Sequence, residues 1–141
     1  MASFNKFNSF VEYLAEGGFD LQNDTLKVAL CNTAPIAGNG LLADLTEISA
    51  GNGYTAGGTT ASLSASAQTS GTYKLTLADV TYTAAGGSIG PFRYAVLYDS
   101  TKSSPLKPLI GYWDYGSSVT LASGETFTVD FDSSTGVLTI A

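Results

Sequence analysis

Histidine is missing from all 141 residues, cysteine occurs once, and only 13% of the chain is charged, about half the usual share of about 25%. Each shortage excludes something. Without His there is no His-based catalytic triad, no imidazole general base and no His-ligated metal. The single Cys31 rules out an intramolecular disulfide, and its apolar surroundings point to a buried structural thiol. The six basic residues, Lys6, Lys27, Lys74, Arg93, Lys102 and Lys107, are scattered, and the net charge is −6. No basic stripe exists to neutralise phosphates, so the sequence predicts no direct nucleic-acid partner. No apolar run approaches a membrane span, and the first residues lack a charged-then-apolar signal pattern, so the chain is expected to be made in the cytoplasm and to have no membrane partner.

Gly, Ser, Thr and Ala replace the missing charge, a composition suited to short strands and many turns. The richest stretch is 87–131, GSIGPFRYAVLYDSTKSSPLKPLIGYWDYGSSVTLASGETFTVDF. Phe92, Tyr94, Val96 and Tyr98 share one parity, and Phe127, Val129 and Phe131 repeat the pattern. Alternation at period two predicts half-buried antiparallel strands. Leu109–Tyr115 is apolar on both parities, which predicts a strand that is central or subunit-facing. Gly116–Ser118 reads as a turn before a short strand at 119–121. A turn at 122–125 leads into strand 126–132, and DSSTG closes a hairpin onto 137–141, with Leu138 and Ile140 inward.

Towards the N-terminus, Phe7, Phe10, Val11 and Leu14 make a helical stripe that Phe4 extends, predicting an amphipathic helix over about 3–16 with Ser3 as cap. It packs over its own sheet or docks on a neighbouring subunit. Residues 25–32 read as a strand with Leu26, Val28 and Leu30 inward. Residues 36–58 read as a long excursion tied down by Leu42, Leu45 and Ile48, whose glycine-rich tip, 51–58, is a contact loop. Residues 59–66 fit an edge strand or a ribbon ordered by a partner. Within 72–83 the apolar parity changes, from Tyr73, Leu75 and Leu77 to Val80 and Tyr82. A strand cannot flip its buried face without an extra residue, so a bulge or bend is expected at Ala78-Asp79, where the chain passes between sheets. The sum is one all-β domain over 1–141, an antiparallel sandwich of jelly-roll type with one short N-terminal helix. Its loop and ribbon occupy about 36–71 and its aromatic core about 72–141.

No motif for chemistry stands out. Asp130-Phe-Asp132-Ser-Ser134 offers oxygens at alternate positions, but the ligand count falls short of a calcium loop, and turn formation explains it. Asp114 and Glu125 make a carboxylate pair only if their strands pair. The expectation is therefore no enzyme, no catalytic residue, no cofactor and no metal. Tyr94, Tyr98, Tyr112, Trp113 and Tyr115 offer either core and subunit interface or a platform for sugar rings, and their strand-interior placement favours the former. Arg93 fits an ion pair at a subunit contact or an exposed edge. The candidate interface residues are Arg93, Tyr112, Trp113 and Tyr115, with Asn52 and Tyr54 from the loop tip.

The wording GGSIGPFRYAVLYDST…PLIGYWDYGSSVTLASGETFTVDF is similar to that of small structural proteins of tailed bacteriophages. MASFNKFNSFVEYLAEG, DTLKVALCNTAP and ISAGNGYTAGG share the similarity, so it covers nearly the whole chain. The resemblance implies a virion protein without enzymatic activity, a capsid cement or decoration protein on the outer capsid surface. Its partners would be the major capsid protein and its own copies, as a dimer or trimer. A tail or head-fibre module binding host glycans through Tyr112, Trp113 and Tyr115 is the alternative.

Overall fold

The computed structural model describes residues 2–141. Ten strands and one helix follow in chain order: β1 (Phe4–Lys6), α1 (Asn8–Ala15), β2 (Leu26–Cys31), β3 (Thr59–Thr60), β4 (Leu63–Thr69), β5 (Thr72–Leu77), β6 (Val80–Thr83), β7 (Ile89–Asp99), β8 (Leu109–Leu121), β9 (Thr126–Val129) and β10 (Leu138–Ile140). The first layer is a five-stranded sheet in the order β1-β8-β7-β2-β3. Facing it are β10-β5-β4 and the pair β6-β9. Every pairing is antiparallel. This is an all-β antiparallel sandwich with one short helix.

Alternation in β2 and β7 sorts their side chains to two sides, and both sides are buried. Leu26, Val28, Leu30, Ala95, Leu97 and Ile110 face the second layer, where they meet Leu75, Leu77, Val80, Tyr82, Val129 and Leu138. Ala29, Cys31, Tyr94, Val96, Tyr98 and Leu109 face the opposite way, around the fully buried Phe7 and under Leu42 and Leu45. The two-sided apolar strand at 109–115 thus lies inside the sheet, flanked by β7 and the short β1, and the chain's own 36–58 excursion covers its second face. The core accordingly reaches well outside 72–141.

The bend expected at Ala78-Asp79 is where the chain leaves the β10-β5-β4 sheet and joins β9. Asp79 Oδ1 there accepts the Phe131 amide at 2.8 Å. A jog in one strand demands a jog in its partner. Strand β9 pairs with β6 and β10 with β5, so DSSTG does not close a hairpin. Residues 130–137 instead bulge out between β9 and β10, which belong to different sheets. Leu138 is buried, but Ile140, expected inward, is 39% exposed at the sheet's end.

Two further boundaries differ from the sequence reading. Residues 4–6 are strand, because the free edge of β8 offers backbone partners (Phe4 opposite Trp113, Lys6 opposite Gly111) and Trp113 receives the Phe4 ring at 5.3 Å. The helix therefore starts at Asn8, its N-cap is Phe7 with no side-chain cap, and Ser3 plays no part. Val11, expected in the buried stripe, is 50% exposed. Residues 116–118, expected to turn, lie inside the continuous β8. Tyr94 pairs with Asp114 and Phe92 with Val119, so the four residues between them on β8 oppose Arg93 alone. That wide bulge flips the parity of β7, sending Phe92 to one core and Tyr94 to the other.

Candidate functional site

The glycine-rich tip at 51–58 is stitched into the interior. Tyr54 is 3% exposed, and its ring lies 5.8 Å from that of Tyr82. Its hydroxyl donates to Glu47 Oε1 at 2.5 Å and accepts the Leu30 amide at 3.0 Å. The Gly57 amide donates to the same Glu47 oxygen at 2.5 Å. Tyr98 donates to the Gly57 carbonyl at 2.6 Å, and Tyr82 to that of Val28. Burial, then Glu47, raises the Tyr98 hydroxyl to about 12 and the Cys31 thiol to about 12; burial also raises Tyr54 and Tyr82. These hydroxyls stay protonated and donate, and Cys31 behaves as a small apolar side chain. Tyr54 is therefore a core anchor, unavailable to a partner. Asn52 stays exposed, with Nδ2 donating to the Ser88 carbonyl at 3.0 Å, which ties one loop to the next.

Arg93, Trp113 and Tyr115 do come together. They line an open groove of roughly 330 Å³ between β8 and the 130–137 bulge, with Phe4, Phe92, Phe127 and Phe131 supplying more aromatic surface. Trp113 meets Phe131 edge-on at 5.4 Å, and Tyr115 meets Phe127 at 5.4 Å. Tyr115 is 57% exposed. Tyr112 is on the opposite face with Phe7 and Tyr94, so the trio named from sequence is split.

Arg93 forms an ion pair within the chain. Its Nε donates to Asp114 Oδ1 at 2.7 Å and its Nη2 to Oδ2 at 3.0 Å, while the Gly116 amide adds a third bond at 2.8 Å. Arg93 holds the Asp114 carboxyl below the usual carboxylate range. Asp114 and Glu125 make no pair, since Glu125 Oε1 accepts the Ala122 amide in its own turn at 3.1 Å. Asp132 accepts from the amide and hydroxyl of Ser134 at 2.8 and 2.6 Å, which holds its carboxyl down to about 2. It is a turn former. Among the described residues no group of three or more acidic or Cys side chains is arranged to hold a metal, and no helix is long and apolar enough to cross a membrane.

Sequence reasoning missed Phe127, Asp130 and Phe131 as groove residues. The signal was the parity break at Ala78-Asp79. Once β5 and β6 belong to different sheets, their partners must be offset, and residues between β9 and β10 must project towards β8. No known protein family, curated protein or solved structure matches the chain.

Proposed function

We propose that the protein is a structural component of a tailed-bacteriophage virion, a capsid cement protein. It binds the major capsid protein lattice and its own copies on the outer capsid surface, and it has no enzymatic role. Similarity of wording supplies the family. The observation that carries the reading is β4, a seven-residue strand at the open edge of its sheet. Only Ser66 in it is half-buried; the rest is exposed. A two-residue turn at Ser70 (φ 50°) and Gly71 (φ 83°) joins it to β5, a backbone that glycine adopts without Cβ strain.

Natural proteins protect such edges with charge, proline or a bulge that turns them away. LSASAQT has no charge and no proline, and its one irregularity lies at the Leu63 end. The strand's backbone donors and acceptors, over roughly 23 Å at about 3.3 Å per residue, are thus open to strand addition by a neighbour. Modest contacts of this kind, repeated across a lattice, gain strength through high effective concentration.

Charging the edge tests this. Ser64→Lys with Ala67→Glu leaves net charge unchanged and sets the introduced carboxylate opposite Lys74, so the β4–β5 hairpin itself is not weakened. Occupancy of the double variant on capsids lacking the protein is expected to fall about tenfold, the effect of about 1.4 kcal/mol per contact, with an unchanged melting temperature. Undiminished occupancy would remove β4 from the assembly and with it the structural support for this function.

A further inference from the structure

We infer that the groove between β8 and the 130–137 bulge binds a neutral saccharide ring. This site is independent of the capsid reading, which rests on β4. The aromatic floor and wall come from Trp113, Tyr115, Phe127 and Phe131. A pyranose presents one face of C–H groups with partial positive charge, which complements the negative face of an aromatic ring. Its hydroxyls then need both donors and acceptors at the rim.

The rim has both. Arg93 spends Nε and Nη2 on Asp114, which leaves its Nη1 as a donor held in fixed orientation. Asp130 is exposed and Thr135 lines the same wall. The lining carries one cation, Arg93, and two carboxylates, Asp130 and Asp132. A strongly anionic ligand would meet the two carboxylates. Arg93 is already paired with Asp114, so its charge is neutralised and it serves the rim as a hydrogen-bond donor. Donors and acceptors at the rim over an aromatic floor fit an uncharged ligand with an apolar face and hydroxyl edges, and the two carboxylates disfavour an anion. Its size agrees, because a 330 Å³ groove is at the small end of ligand sites, about 300–1,000 Å³.

Trp113 is the single tryptophan of the chain, so intrinsic tryptophan fluorescence reports on this groove alone. The intact protein would be titrated with the methyl glycosides of glucose, galactose, N-acetylglucosamine and rhamnose. Sorbitol, a polyol without a ring face, serves as control, with arginine amide and inorganic phosphate as charged probes. Saturable change in the millimolar range is expected for at least one glycoside, and none for sorbitol or either charged probe. Tyr115→Ala should weaken that binding about tenfold, read in parallel by ligand-observed NMR. Tyr115 is mostly exposed, so an unchanged melting temperature will show that the variant is folded. No saturation by any glycoside, an equal response to sorbitol, saturation by a charged probe, or an unaffected Tyr115→Ala would each overturn the assignment.

Discussion

Replacing Gly58 with alanine is expected to unfold the protein or lower its melting temperature by tens of degrees. Gly58 has φ +79°, and a Cβ there would overlap the Val28 carbonyl oxygen and sit 2.5 Å from its carbon and 2.9 Å from Ala29 Cα. The left-handed backbone alone costs about 1–2 kcal/mol for a residue with a Cβ. The larger penalty is steric, since the atoms in the way are backbone of β2, whose six residues all pair with β7. Neither side can yield without breaking the central ladder. A combined loss above about 4 kcal/mol places this among the severe substitutions, and each kcal/mol shifts the melting temperature by about 3–5 °C at this chain length. Gly38→Ala is the control, because its Cβ would meet nothing within 4 Å and its φ is ordinary. Thermal unfolding of both variants checks the claim. A Gly58→Ala protein melting within a few degrees of the parent would mean that the 51–58 segment is not locked against β2.

Stability should fall as pH rises from about 4 to about 7, the reverse of the usual acid sensitivity. The cause is Asp99, which is fully buried. Its Oδ1 accepts the Thr101 amide at 2.9 Å, while its Oδ2 receives no donor among the described residues. Asp24 faces it and is itself held by the Asp20 amide at 2.8 Å and by Lys102 at 3.2 Å. Burial first, then the neighbouring Asp24, pushes the Asp99 carboxyl from its ordinary 3.8 up to about 7, while Asp24 is lowered. Protonated Asp99 donates to Asp24, and one proton removes the repulsion between the two.

The folded pKa lies above the unfolded one, so the folded state binds the proton more tightly. Its contribution is complete below 3.8 and lost as pH climbs through 7. Asp99 and Asp24 titrate as a pair, and the sign of their combined effect is a decline in stability across this window. The lowered carboxyls Asp20, Asp24, Asp44, Asp114 and Asp132 act in the opposite sense, but only as pH falls towards their folded values, below the Asp99 window. Urea unfolding at pH 4.5, 6 and 8 should show the decline in the parent, and Asp99→Asn should flatten it. A parent more stable at pH 8 than at 4.5 would show that Asp99 is ionised in the folded protein.

Much of this fold was legible because alternation is a local signal. The parity of Leu26, Val28 and Leu30 placed β2, and the parity change after Leu77 located the passage between sheets. Residues whose roles depend on distant partners were not legible. Phe4 reads as helical by spacing, yet the open edge of β8 draws it into a strand beside Trp113. Gly116–Ser118 reads as a turn, but β7 holds β8 straight on either side and the surplus becomes a bulge. The tip at 51–58 has the composition of an exposed loop. Its glycines instead allow close approach to β2, and a single aromatic, Tyr54, carries the segment into the core. Of the groove, Arg93, Trp113 and Tyr115 were named from the sequence as candidate interface residues on strand interiors, and the structure brings them to one groove. Its other wall was hidden behind a hairpin that does not form.

Proposed membership of a capsid is tested most directly by finding the protein in the virion. A cryo-microscopy map of particles from a phage encoding it should show a β-sandwich on the outer face of the head, repeated with the capsid lattice, with β4 against a neighbouring chain. Density confined to the tail, or a head surface bare of this protein in particles that contain it, would contradict the account.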